Sequence, residues 1–214
     1  MARQFSEPRL ILATHNAGKL AEIKALLAPL GIEVASSGDL GLPEPVEDGD
    51  SFAANAAIKA EAAVAASGLP ALADDSGIEV VGLDGRPGIV SARWAGPGGD
   101  FDHAMDRVRL GLVERFGSFE DADKRARFIA VLCLAWPDGH KEFVEGKVIG
   151  ELVDPPRGTG GFGYDPMFQP EGRTETFGEM PASEKRQLSH RARAMDRLIG
   201  LCFEKGQQTR TGMS

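Results

Sequence analysis

The chain has 214 residues, 42% of them hydrophobic and 26% charged, and 24 basic against 32 acidic side chains give a net charge of −8. That is the make-up of a globular protein with enough chain for a sizeable core, and it speaks against a general nucleic-acid binder, which carries a basic face. The longest apolar run, Phe128 to Trp136, is nine residues, far short of the ~20 that span a bilayer.

Charged and proline residues (Arg3, Glu7, Pro8, Arg9) precede the first apolar run, so no secretory leader is expected. The only cysteines, Cys133 and Cys202, lie among apolar neighbours and read as buried free thiols. Together these features point to a cytoplasmic protein. Glycine is frequent, 27 residues with no collagen period, so many tight turns or close backbone approaches are expected.

Taken in chain order, Arg9 to Ala13 reads as a strand. Leu20, Ile23, Leu27 and Leu30 then recur at helical spacing, with Asn16 able to cap the helix and Gly31 to close it. Residues 36–50, rich in Gly, Pro and acids, read as a loop. Phe52 to Ser67 holds nine alanines and no Gly or Pro, which predicts a helix able to lie close on a sheet, with Ser51 as cap and Gly68 and Pro70 as stops. Ala71 to Ala73 reads as a strand ending in a turn at Asp74-Asp75-Ser76-Gly77. Glu79 to Leu83 reads as a second strand, entering a tight turn at Asp84-Gly85. Phe101, Met105, Val108, Leu112 and Phe116 mark an amphipathic helix. Phe128–Trp136 and Lys141–Val153 flank Pro137-Asp138-Gly139 as a hairpin, and Leu188, Ala192, Met195, Ile199 and Cys202 mark a last helix. The expected fold is α/β, a mixed β-sheet flanked by helices. Residues 1–205 read as a single domain, with room for two lobes, and residues 206–214 as a polar, flexible tail.

Four segments carry the chemistry. Thr14-His15-Asn16-Ala17-Gly18-Lys19 stands where a strand runs into a helix, and a helix N-terminus with a nearby lysine suits a phosphate; the alternative is a plain cap and a solvated lysine. Asp74-Asp75-Ser76-Gly77 sets two carboxylates side by side, which in a strand would face opposite ways, so a metal or a cap must account for them. Gly158-Thr159-Gly160-Gly161-Phe162-Gly163-Tyr164-Asp165-Pro166 matches a dinucleotide fingerprint formally but runs into Asp-Pro rather than a helix. It reads instead as a loop approaching a ligand, with Phe162 or Tyr164 either stacking on a base or anchoring the loop. Finally Ser189-His190-Arg191 opens the last helix with cations that oppose its dipole, a broken local rule that suggests a grip on an anion; the alternative is a solvated basic face of Lys185, Arg186, Arg191 and Arg193. The histidines show no zinc spacing. The acidic loop with Glu44, Glu47, Asp48 and Asp50 reads as solvated, with the alternative that it supplies oxygen ligands to a hard cation.

Together these segments resemble the inosine triphosphate pyrophosphatase family, also called dITP/XTP pyrophosphatases. The resemblance rests on Thr14 to Lys19, on Glu47-Asp48-Gly49-Asp50-Ser51-Phe52 with Asn55, Ala56 and Lys59, and on Ala73 to Gly77. It continues through Gly85-Arg86-Pro87-Gly88 with Ser91-Ala92-Arg93-Trp94, then Gly160 to Pro166, and Glu184-Lys185 with Ser189-His190-Arg191. The resemblance implies two lobes enclosing a nucleotide cleft, usually in a homodimer. It also implies Mg²⁺-dependent hydrolysis of ITP, dITP and XTP to the monophosphate and pyrophosphate. Carried over, Thr14, His15, Asn16, Ala17, Gly18 and Lys19 would hold the triphosphate. Asp75 would bind the metal and serve as or orient the base for water, with Glu47 (or nearby Glu44) as second carboxylate. Ser76 would touch the substrate, and Phe162, Gly163, Tyr164 and Asp165, completed by Lys185, His190 and Arg191, would form the base pocket. Two residues depart from the family: Ala54 where many members have Glu, and Ala192 where bacterial members often have Gly. Two other functions stay open on the sequence: a pyrophosphatase for pyrimidine or modified nucleotides, and a non-catalytic nucleotide-binding module.

Overall fold

The computed structural model describes residues 2–203; the tail expected over 206–214 lies outside the described residues. Strand β1 (Arg9–Leu12) leads into helix α1 (Ala17–Leu27). The Asn16 side-chain oxygen caps α1 by accepting the Lys19 N–H at 2.9 Å. A single 3-10 turn and Gly31, at φ 65°, end it. Strand β2 (Glu33–Ser36) is a finding the sequence did not suggest. It has no apolar alternation and is held by its parallel register with β1, from Arg9 opposite Glu33 to Leu12 opposite Ser36. Helix α2 (Phe52–Ser67) begins at Ser51, whose hydroxyl accepts the Ala54 N–H, and ends on left-handed Gly68.

The next strand corrects the sequence reading. Asp74-Asp75-Ser76-Gly77 is not a turn: β3 runs unbroken from Ala71 to Val80. Its polar centre stays extended because each carboxylate finds a cation on its own side of the sheet. The tight turn at Asp84-Gly85 does form, with both residues at positive φ, 56° and 83°. Helix α3 (Phe101–Phe116) and the hairpin of β4 (Arg125–Ala135) and β5 (Lys141–Leu152) follow as expected. Strand β6 (Phe168–Pro170) and helix α4 (Ala182–Leu188) were not anticipated, being only three and seven residues long. Helix α5 (His190–Cys202) closes the described chain.

The six strands lie in the order β2-β1-β3-β4-β5-β6, with β1 parallel to β2 and β3 and β6 antiparallel to β5, so the sheet is mixed. The chain forms two compact units. Among the described residues the first holds those up to Asp75, Val131–Gly146 and those from Arg191 onward; the second holds Ser76–Ala130 and Lys147–His190.

In the first unit, Ala56, Ala60 and Ala63 of α2 pack on Ile11, Ala13, Ala71, Ala73, Cys133 and Ala135. Small side chains on both partners let helix and sheet approach closely. In the second unit, Met105, Val108 and Leu112 of α3 meet Ile78, Val80, Phe128, Phe168 and Phe177; burying each such side chain contributes about 1.5–3 kcal/mol. Cys133 and Cys202 are free and buried, as expected. Burial pushes their thiols up, to about 12 and about 11, which leaves them unreactive.

Candidate functional site

The side-chain alternation of β3 organises the first unit's polar cluster. Ala71, Ala73 and Asp75 share one face and Leu72 and Asp74 the other. Helix α2 covers the first face, and its buried stripe is Phe52, Asn55, Ala56, Lys59, Ala60 and Ala63. Asn55 and Lys59 therefore occupy core positions on an alanine-rich helix, and buried polar groups need partners. Asp75 is the partner of both: it accepts from Lys59 Nζ at 2.9 Å and from Asn55 Nδ2 at 3.3 Å. Lys59 Nζ also lies 3.0 Å from the Glu47 carboxylate, while Asn55 Oδ1 accepts the Gly49 N–H at 2.9 Å. Gly49 is required there, since a Cβ would come within 2.7 Å of both Ala54 Cβ and Asn55 Oδ1. The loop bearing Glu47 is thus pinned to the helix bearing Lys59. Glu44 is exposed, while Glu47 shares the Lys59 ammonium with Asp75.

The two aspartates differ in electrostatics as they differ in direction. Burial pushes the Asp75 carboxyl above its ordinary value, against the opposing pull of Lys59 and Lys19. Burial alone would raise Asp74 too, but the Arg191 guanidinium and the Lys19 ammonium outweigh it and hold Asp74 well below the usual carboxylate range. Lys59 is raised, because Asp75 and Glu47 outweigh the burial that would lower it.

On the opposite face, Asp74 is sealed. Lys19 Nζ lies 2.8 Å from Oδ1 and Arg191 Nε 2.6 Å from Oδ2, and the Arg191 guanidinium also binds Glu22 of α1. Arg191 is 1% exposed. The rule broken at the start of α5 has its account here: a cation at this helix N-terminus is matched by two carboxylates. Lys19 is not a solvated surface lysine, its side chain being 16% exposed. Thr14 is buried and its hydroxyl accepts the Asn16 N–H at 3.2 Å. His15, Asn16 and Ala17 are exposed, Gly18 is half-buried, and a His15 ring nitrogen lies 3.0 Å from the Leu42 carbonyl.

The second unit holds Ser76 and the loop 158–166. That loop opens no helix, as its Asp165-Pro166 ending requires; a 3-10 turn follows at Asp165–Met167. It is built around the Asp165 carboxylate, which accepts the Phe162 N–H at 2.7 Å and lies 2.6 Å from Lys185 Nζ. Gly161, at φ 70°, leaves room for it, since a Cβ there would meet Asp165 Oδ2 at 2.1 Å. The two aromatic possibilities are divided between the two rings. Tyr164 is buried and anchors the loop: its hydroxyl donates to the Ser91 carbonyl at 2.9 Å and its ring meets Phe101 edge-on. Phe162 stays half-buried, with Lys185 Nζ 4.7 Å from its ring centroid. His190 is buried and stacks on Phe128, with centroids 4.8 Å apart and planes at 11°.

The expected site residues therefore fall into two sets. Thr14–Lys19, Glu47, Asp75 and Arg191 gather in the first unit; Ser76, Phe162–Asp165, Lys185 and His190 belong to the second. Asn55 and Lys59 carry the family resemblance without an assigned role in the sequence, although their spacing on the apolar stripe of α2 is a readable signal. The sequence does not single out Glu22, since a helical glutamate gives no signal. Among the described residues, no group of three or more His, Cys, Asp or Glu forms a metal cluster, and no helix is long and apolar enough to cross a membrane.

Comparison with known proteins gives a consistent picture. The model of the Ham1 family matches residues 10–201. A dITP/XTP pyrophosphatase of Bradyrhizobium diazoefficiens is 58% identical over 203 residues, covering 92% of this chain and 96% of the relative. One of Zymomonas mobilis is 52% identical, covering 94% and 95%. Among solved structures, a HAM1 protein from Coxiella burnetii superposes with a TM-score of 0.82 at 35% identity, over 91% of this chain and 98% of that one. A nucleoside-triphosphatase / dITP/XTP pyrophosphatase from Mycobacterium abscessus gives 0.70 at 38% identity, over 89% and 98%.

Proposed function

Since the chain belongs to the Ham1 family, we propose that it hydrolyses deaminated purine nucleoside triphosphates (ITP, dITP and XTP) to the monophosphate and pyrophosphate, with Asp75 as the base. The observation that carries this reading is the Asp75 carboxylate itself. It is buried, raised by that burial, and held by Lys59 and Asn55 rather than neutralised by the arginine that seals its neighbour. A carboxylate raised above its ordinary value is a better proton acceptor than an unshifted one.

In this reading water attacks the α-phosphorus, its proton passes to Asp75, and the bond from the α-phosphorus to the bridging oxygen breaks, releasing pyrophosphate. Lys19 and the N–H groups at the start of α1, shaped by Thr14, Asn16 and Gly18, hold phosphate oxygens. Glu47 and Asp75 fit a hard cation. Both converge on one positive charge already, the Lys59 ammonium, so their oxygens are no farther apart than those two contacts laid end to end. Two carboxylates suit Mg²⁺, which completes its shell with water and substrate phosphates. Held by Glu47 and Asp75, Mg²⁺ would supply positive charge against the leaving pyrophosphate and would lower the pKa of a bound water. Arg191 acts behind this centre by holding Asp74, and through Asp74 it holds Lys19.

Phe162 is the ring proposed to stack on the base, with Gly163 and Asp165 shaping the loop, Tyr164 anchoring it, and Ser76 and His190 beside the substrate. Lys185 has only donors to offer. A 6-oxo purine presents an acceptor to such a donor, whereas the 6-amino group of adenine presents a donor to a donor, a mismatch that costs a few kcal/mol. The substrate is a free nucleotide, and we place the enzyme in the cytoplasm as a homodimer, with neither nucleic acid nor membrane as partner. A substrate panel tests the selectivity. ITP and XTP are expected to exceed ATP by about a hundredfold or more in kcat/KM; equal turnover of ATP contradicts it.

A further inference from the structure

Loop 157–166 is locked against a second loop, 173–180, whose residues have no part in the site as described. The two backbones touch with no side chain between them. A Cβ on Gly158, at φ 85°, would lie 2.1 Å from the Gly178 carbonyl carbon, and one on Gly178 would lie 2.7 Å from the Arg157 oxygen and 2.8 Å from Pro166 Cα. The Gly160 N–H donates to the Gly178 carbonyl at 2.8 Å, and the Gly178 N–H to the Asp165 carbonyl at 3.0 Å.

One side-chain hydroxyl closes this contact. Thr176 is fully buried. Its Oγ1 donates to the Arg157 carbonyl at 2.7 Å and accepts the Glu179 N–H at 3.2 Å. Glu179 returns the bond, its carboxylate accepting the Thr176 N–H at 2.9 Å while lying 3.5 Å from Arg157 Nε. The turn 176–179 is thus capped at both ends and grips the chain just before the glycine-rich run. The Arg157 guanidinium crosses the same junction to Gln169 Oε1 at 2.9 Å and the Thr174 carbonyl at 3.0 Å.

We propose that Thr176 is a positioning residue for the nucleobase: its hydroxyl keeps loop 157–166 ordered in the absence of ligand, so that Phe162 is presented ready to stack. This rests on the reading of Phe162–Asp165 as the base-binding loop. A loop held in its bound form spends less binding energy on ordering, so the effect belongs in affinity rather than in the chemical step.

Thr176→Val keeps the shape and removes the hydroxyl; Thr176→Ser restores it. Amide hydrogen exchange, with no nucleotide present, reads the loop directly. In Thr176→Val the Gly160 and Phe162 amides are expected to exchange about tenfold faster, the factor that one net hydrogen bond represents, while α3 amides keep their wild-type rates. In the same variant KM for ITP should rise about tenfold with kcat within about twofold, and Thr176→Ser should return both to near wild type. Unchanged exchange at Gly160 and Phe162 overturns the proposal. So does an unchanged KM, or a joint loss of kcat and melting temperature that serine does not rescue. If wild type itself releases no pyrophosphate from ITP, the assigned function fails, and the exchange rates still decide whether Thr176 orders the loop.

Discussion

Asp75→Asn is expected to fold and to lose ITP hydrolysis by about a thousandfold, within the range that removal of a positioned acid or base produces. The substituted amide keeps the shape and a partner for Asn55, and Glu47 still holds the Lys59 ammonium, 3.0 Å away. Burial disfavours ionised Asp75 in the folded state, a cost that a neutral side chain relieves, and this offsets the loss of one of the two carboxylates at Lys59. The melting temperature should therefore stay within about 3 °C of wild type. Thermal unfolding and kcat/KM on the same preparation check both halves. An active Asp75→Asn enzyme removes the base; an unfolded one removes the claim that this carboxylate is kept for chemistry.

The second large effect falls on the other aspartate, and on stability. Arg191→Ala leaves Asp74, whose side chain is 0% exposed, with Lys19 as the cation at its carboxylate. Breaking one side of a buried ion pair costs about 3–5 kcal/mol, because the surviving charge stays buried. In a chain of this size each kcal/mol moves the melting temperature by roughly 2–4 °C, so a fall of about 10 °C is expected. Asp74→Ala should cost a similar amount, and the double variant less than the sum of the singles, with a coupling of about 1–3 kcal/mol. The pH dependence has a definite sign. Asp74 is depressed in the fold, so its contribution is full above the unfolded carboxyl value near ~4 and is lost as pH falls toward the lower folded value. Additive costs in the double variant would show that the pair does not act as a unit.

The contrast between these aspartates explains what the sequence could and could not disclose. The alternation rule, applied to Asp74 and Asp75 as neighbours in a strand, already separates them by face. Two carboxylates followed by Ser-Gly have the composition of a turn, however, and on composition a turn is expected there. What keeps β3 (Ala71–Val80) extended through them is remote: Lys59 on α2 for one, Lys19 on α1 and Arg191 on α5 for the other. Local propensity contains no information about a partner 117 positions away. β2, β6 and α4 were missed for a related reason. Each is too short to show a period, and β2 exists because β1 offers it a register. The long elements were legible because their signals are local: the alanine run and Ser51 cap of α2, the apolar stripe of α3, and the Pro-Asp-Gly turn of the β4–β5 hairpin.

The same division holds for the site. That Thr14–Lys19 stands at a helix start, and that Gly158–Pro166 is a loop rather than a dinucleotide fingerprint, follows from nearby residues. That Tyr164 anchors while Phe162 stays half-buried depends on Ser91, Phe101 and Lys185, each far along the chain. The roles of Lys185 and Arg191 are sharpened most. Read from the sequence they were cations waiting for a nucleotide; in the fold each already holds an aspartate, Asp165 for one and Asp74 for the other.

Hydrolysis to the monophosphate requires that the bond between the α- and β-phosphates is the one cut. Purified wild-type protein incubated with ITP and Mg²⁺, with the products separated by ion exchange, is predicted to give one IMP and one pyrophosphate per ITP consumed. No IDP should form, and excess chelator should abolish turnover. Orthophosphate and IDP as the products would contradict it, because attack would then have fallen on the γ-phosphorus and Asp75 would not be the base of a pyrophosphatase.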